Sequence, residues 1–83
     1  MRSKVSGKVL VHDAPARGAT VELHNSSGDV VTQIAVDDDG SYAFHVSEGN
    51  WSLNAYDPHG HRGSTPVTLG EGEEKNVDVV LGH

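Results

Sequence analysis

The chain has no cysteine, so neither a disulfide framework nor a cysteine nucleophile is open to it. It has no run of about 18 or more apolar residues, so nothing in it reads as a membrane-spanning helix. Cations are scarce: six Lys and Arg stand against twelve Asp and Glu, for a net charge of −6 with His neutral. Those six, Arg2, Lys4, Lys8, Arg17, Arg62 and Lys75, are scattered. They leave no basic footprint to displace counterions from nucleic acid and no attraction to an anionic membrane surface. Met1-Arg2-Ser3-Lys4 is basic, but no apolar stretch follows it, so it does not read as a signal peptide. A cytoplasmic protein, or a part of a larger assembly such as a virion, is the expectation.

What remains is a chain of 83 residues, the length of one domain spanning 1–83. A domain of this size buries only roughly 60–65% of its unfolded surface, so its core must hold by packing alone. The apolar fraction of 35% lies below the ~45–50% of globular domains, a benchmark that includes glycine. The ten glycines close most of that gap and point to turns.

Alternation of apolar and polar residues dominates. Val5, Gly7, Val9 and Val11 share one parity, then Ala19, Val21 and Leu23, then Tyr42 and Phe44, then Trp51, Leu53 and Ala55, and finally Val77, Val79 and Leu81. Each set is the inner face of a half-buried strand. Val30 to Val36 is a further strand with two possible inner faces, Val31/Gln33/Ala35 or Thr32/Ile34/Val36. Thr65 to Leu69 is a short edge strand, because Pro66 cannot donate to a ladder. Between the strands lie turn clusters: Asp13–Gly18, Asn25–Asp29, a tight Asp37–Gly40 hairpin, Ser47–Asn50, Gly70–Lys75, and a long, mobile Asp57–Gly63 loop. Turn signals every 8–12 residues and no helical periodicity predict an all-β, Ig-like or transthyretin-like Greek-key sandwich of about seven antiparallel strands.

Four motifs run in order along the chain: Val5-Ser6-Gly7-Lys8-Val9, Gly18-Ala19-Thr20-Val21-x-Leu23, Asp37-x-Asp39-Gly40-x-Tyr42-x-Phe44 and Gly49-x-Trp51-x-Leu53. Together they resemble the carboxypeptidase regulatory-like family of transthyretin-like, prealbumin-type sandwiches. Gly49 to Leu53 and Gly60 to Gly63 also resemble short actinobacterial members of unknown function found beside thiosulfate sulfurtransferases. The resemblance implies a non-catalytic module accompanying peptidases, receptors, transporters or adhesins. The related collagen-adhesin B-type domains join a Lys to an Asn or Asp with the help of a buried Glu. Lys8 sits near that Lys position, but Ala55 stands at the acid position, so no such bond is expected.

The chemistry-bearing residues are weighed against that background. His59 and His61, with Asp57 beside them, are the candidate metal ligands, since two imidazoles two residues apart can reach one ion. His12, His24 and His45 fall on outward faces, and His83 ends the chain. Asp37-Asp38-Asp39 lacks the spaced ligands of a calcium loop and reads as a turn. Asn25-Ser26-Ser27 fits a glycosylation sequon but also reads as a turn. No Gly-x-Ser-x-Gly elbow occurs. The transthyretin-like fold includes a hydrolase of a purine catabolite, whose His, Arg and C-terminal tetrapeptide are not matched here. No enzyme activity and no cofactor are expected. Tyr56 has outward parity and borders the loop, so Tyr56, His59, His61 and Arg62 are the candidate contacts for a protein partner. The expected role is a monomeric, non-catalytic module that binds or spaces protein partners. Its alternatives are a surface-display or decoration domain and a metal-binding accessory protein.

Overall fold

The structure, a computed structural model, describes residues 2–82. Among these, nine strands and no helix are formed: β1 Ser3–Val11, β2 Ala14–Pro15, β3 Thr20–His24, β4 Val30–Ala35, β5 Ser41–Val46, β6 Gly49–Tyr56, β7 Arg62–Leu69, β8 Glu74–Asn76 and β9 Val79–Leu81. They make two stacked sheets. In one, β1 is central, flanked by β5 and β2 on one side and by β8 and β9 on the other; the second has the order β4-β3-β6-β7.

The inward parities read from the sequence meet between the sheets. Val5, Val9, Phe44, Val79 and Leu81 of the first sheet pack in one core with Val21, Leu23, Leu53, Ala55, Val67 and Leu69 of the second. Fully burying an aliphatic side chain of this kind contributes about 1.5–3 kcal/mol. In β4 the register is settled by its partner: Thr32 pairs with Leu23 and Ile34 with Val21. Thr32/Ile34/Val36 is therefore the inner set, with Ile34 and Val36 packed against the core. Val31 falls at a bulge opposite Leu23 and His24.

Five details depart from the expected sandwich. The first concerns His12 and Asp13, which both have positive φ (52° and 63°) and turn β1 tightly into β2, so a two-residue strand opens what reads as a loop. Second, the Asp37–Gly40 turn closes with one rung, Asp37 N to Ser41 O at 3.2 Å, but it is not a hairpin. β4 and β5 go to different sheets, and the turn is a corner between them. Third, the last strand is split into β8 and β9, and both run parallel to β1. Its break is built by Gly7. A Cβ there would lie 1.9 Å from the Val77 carbonyl oxygen, so only glycine lets the last strand cross so closely. The Tyr42 hydroxyl donates to that oxygen, and the Asp78 carboxylate accepts the Lys8 N–H at 3.0 Å. Fourth, Trp51 keeps its inward parity but is only half-buried at the end of the core, its indole N–H donating to the Ser47 carbonyl at 3.0 Å.

The fifth is the Asp57–Gly63 segment. Only residues 57–61 connect β6 to β7, and Tyr56 pairs with Arg62 at the base of a closed hairpin. β7 is longer than expected. It is an edge, as Pro66 requires, and Gly82 clasps its start through Arg62 N–H to Gly82 O (2.9 Å) and Gly82 N–H to Arg62 O (2.7 Å).

Candidate functional site

Asp57 organises the β6–β7 hairpin. Its side chain is 2% exposed. Oδ1 accepts the backbone N–H groups of His59 (3.0 Å) and His61 (2.8 Å), and Oδ2 lies 2.7 Å from His61 Nδ1. A carboxylate can only accept, so Nδ1 carries the proton. Burial pushes the Asp57 carboxyl up. The His61 amide, the His61 ring and the His59 amide pull it down more strongly, and it ends below its ordinary value.

The candidate metal ligands Asp57, His59 and His61 are not brought together around one point. The Asp57 carboxylate turns inward and is spent on the hairpin's own donors, while His59 is exposed. Among the described residues no group of three or more His, Cys, Asp or Glu is placed to hold an ion. His61 instead meets His12 of the β1–β2 turn, ring edge to ring face, with centroids 5.5 Å apart and planes at 87°. That contact between the two sheets has no signal in the sequence. His83 lies outside the described residues.

The four candidate partner contacts therefore divide. Tyr56 and Arg62, opposite each other in the ladder, border a shallow concavity of about 790 Å³ with Glu22, His24, Asn54 and Ser64. His61 faces His12 instead. Within the concavity His24 Nε2 lies 3.1 Å from Glu22 Oε1, and Nδ1 lies 3.3 Å from the Gly28 carbonyl oxygen. His24 is thus half-buried and partnered rather than simply solvated; His12 and His45 are exposed.

The other polar clusters make turns. Asp37 Oδ1 accepts from the amides of Asp39 (3.2 Å) and Ser41 (2.9 Å), and Asp39 Oδ1 accepts from Ser41 at 3.2 Å. The hydrogen bond it shares with Asp37, then those with Ser41, hold the Asp39 carboxyl down at about 2. Asn25 Oδ1 accepts from Ser27 and Asp29, each at 3.0 Å.

A second opening escapes sequence reasoning. Because β4 and β5 are edges of different sheets, the sandwich gapes between them. The cleft holds about 420 Å³ and is lined by Arg2, Val31, Thr32, His45, Val46, Ser47 and Trp51. Along its rim β4 is exposed, with Val30 at 51% and Val31 at 52%.

Comparisons with known proteins agree with this architecture. The sequence matches the carboxypeptidase regulatory-like domain over residues 4–82. No curated protein matches it. Among solved structures, the chain is similar to the minor pilin of the Gram-positive pathogen Streptococcus agalactiae (TM-score 0.77, 15% identity, 96% of this chain and 44% of that one). It is similar to a DUF3823 family protein from Parabacteroides merdae (TM-score 0.73, 19% identity, 96% and 45%). It is also similar to the 5-hydroxyisourate hydrolase of Klebsiella pneumoniae (TM-score 0.68, 19% identity, 98% and 92%). Identities this low convey the fold alone. The chain spans less than half of the first two structures.

Proposed function

The chain belongs to the carboxypeptidase regulatory-like domain family, and from that membership we propose that it serves as a non-catalytic module that binds or spaces protein partners. The observation that carries this reading is the Asp57 hairpin. The buried carboxylate with a histidine beside it, a group suited to acid–base or metal chemistry, has both oxygens engaged by its own loop. It stiffens a strand connection, and although Asp57 is among the residues lining the concavity beside Tyr56, its side chain is almost fully covered. Asp37, Asp39 and Glu73 are likewise engaged by backbone amides, while Glu22 pairs with His24 within the concavity. What the surface does offer is two recessed areas of mixed polarity, one beside Tyr56 and Arg62 and one between β4 and β5. Both suit contact with a macromolecule.

A photo-crosslinking residue placed in turn at Tyr56, Val31 and Val80 in the native host tests this. A discrete protein adduct from at least one of the first two positions, and none from Val80 on the far sheet, is the expected result. The absence of protein adducts from both recessed areas would overturn the reading.

A second reading, a display unit in a longer assembly, draws on one observation. Nearly the whole chain superposes on under half of a minor pilin, so this sandwich serves there as one block of a longer chain. Adducts confined to a repeating assembly protein would favour it.

A further inference from the structure

The edges of the two sheets are not equally protected. β7 carries Pro66 and is clasped by Gly82. The guanidinium of Arg2 donates to the His45 carbonyl on β5 at 3.3 Å. The β8–β9 edge is kinked at Val77 and carries Glu74 and Asp78. β4 has a bulge at Val31 but no proline, clasp or charge. Its six residues, Val-Val-Thr-Gln-Ile-Ala, include no charge, proline or glycine, and natural edges are usually blunted by such residues. It borders the cleft above Trp51.

Acids bracket this bare strand. Asp29 precedes Val30, and Asp37, Asp38 and Asp39 follow Val36. If two copies of the chain paired antiparallel about the middle of β4, Asp29 of each would come beside Val36 and Asp37 of the other. Like charges would then meet at both ends of the ladder, a costly arrangement. The same brackets attract a strand whose own ends are basic.

We propose that the open edge of β4 takes up an extended peptide segment with Lys or Arg at both ends and alternating apolar residues between, one apolar side chain entering the cleft over Trp51. Main-chain hydrogen bonds to β4 would supply affinity, and the cleft and the two acidic turns would supply selection. This rests on the module reading above and names the chemistry of its partner.

The test uses the whole chain and a synthetic peptide, Lys-Lys-Val-Thr-Val-Thr-Val-Lys-Lys, with a counterpart in which every Lys is Glu. Amide and indole NMR shifts are followed on titration. The expected result is saturable binding with shifts concentrated in β4 and at the Trp51 indole, and affinity about tenfold or more lower for the Glu peptide. Val31→Lys should weaken binding of the Lys peptide to a similar degree, as should Gln33→Lys. Both positions are exposed, so the fold should survive. Val80→Lys, at a residue 66% exposed on β9, should leave binding unchanged. The proposal is overturned by absence of binding, by shifts centred elsewhere, by equal affinity for both peptides, by indifference to both β4 variants, or by a β4-dependent dimer in sedimentation. A crosslink from Tyr56 without one from Val31 would sink this inference and leave the module reading standing.

Discussion

Replacing Gly7 by alanine should cost this domain much of its stability, and the crossing at Val77 sets the size of the effect. The added methyl would lie 1.9 Å from the Val77 oxygen and 2.6 Å from its carbonyl carbon. Both are backbone atoms, so the last strand must lift away from β1. Three hydrogen bonds hold it there: Val77 N–H to Ser6 O at 2.7 Å, Lys8 N–H to Asp78 Oδ1 at 3.0 Å, and the Tyr42 hydroxyl to Val77 O. At about 0.5–1.5 kcal/mol net apiece, losing most of them removes ~2–4 kcal/mol. Overpacking elsewhere in cores costs ~1–3 kcal/mol, so a loss of about 2–5 kcal/mol is expected. A chain of 83 residues has only ~4–12 kcal/mol in total. The midpoint of thermal unfolding should fall by roughly 10–30 °C. Urea titration followed by the emission of Trp51, the sole tryptophan, measures the change directly. Gly82→Ala is the control: nothing lies within 4 Å of its Cβ position and its φ is not positive. It should be neutral or stabilising by up to about 1 kcal/mol. If Gly7→Ala stayed within about 0.5 kcal/mol of the parent with the same dependence on urea, the close crossing would not be what requires glycine.

Tyr42→Phe keeps the ring but strands the Val77 carbonyl, and should cost about 1–3 kcal/mol in the same titration. Burial, and then the charge of Asp78, raises the Tyr42 hydroxyl well above its ordinary value. Its contribution is thus complete below about pH 10 and lost as pH rises beyond that. The parent's urea midpoint should decline in alkali more steeply than the variant's, and matching declines would refute the assignment. At the acid end, Asp39 sits at about 2 and Asp57 below its ordinary value. Stability from both is complete above the usual carboxyl range near pH ~4 and is lost as pH falls from there toward the folded values. Asp39→Asn and Asp57→Asn should each flatten that limb of a stability–pH curve, and a limb lying wholly above about pH 5 would count against both assignments.

The core was legible because alternation is a local signal: Val21 and Leu23, or Leu53 and Ala55, need only their own neighbours to declare a buried face. Events between segments were not legible. His12-Asp13 makes a tight turn without the Asn-Gly or Asp-Gly pair that marks one. The Asp37–Gly40 corner has the hydrogen bonds of a hairpin, so sequence could not tell that β4 and β5 part there. The split of the last strand depends on what faces Gly7 seventy residues away. The candidate site suffered in the same way. Asp57, His59 and His61 are close in sequence, but the hairpin's amides decide where the carboxylate points. The contact of His61 with His12, and the cleft over Trp51, exist only once the sheets are stacked.

The parallel placement of β1 beside β8 and β9 bears on how the domain would carry mechanical load. β1 enters from one end of the sandwich and β9 leaves toward the other, side by side. Tension applied through the two chain ends would draw these strands past each other along their length, loading their rungs together instead of peeling them one by one. The crossing at Gly7, with the Asp78 side chain tied to Lys8, lies midway along that seam and would resist the slide like a pin through two sliding plates.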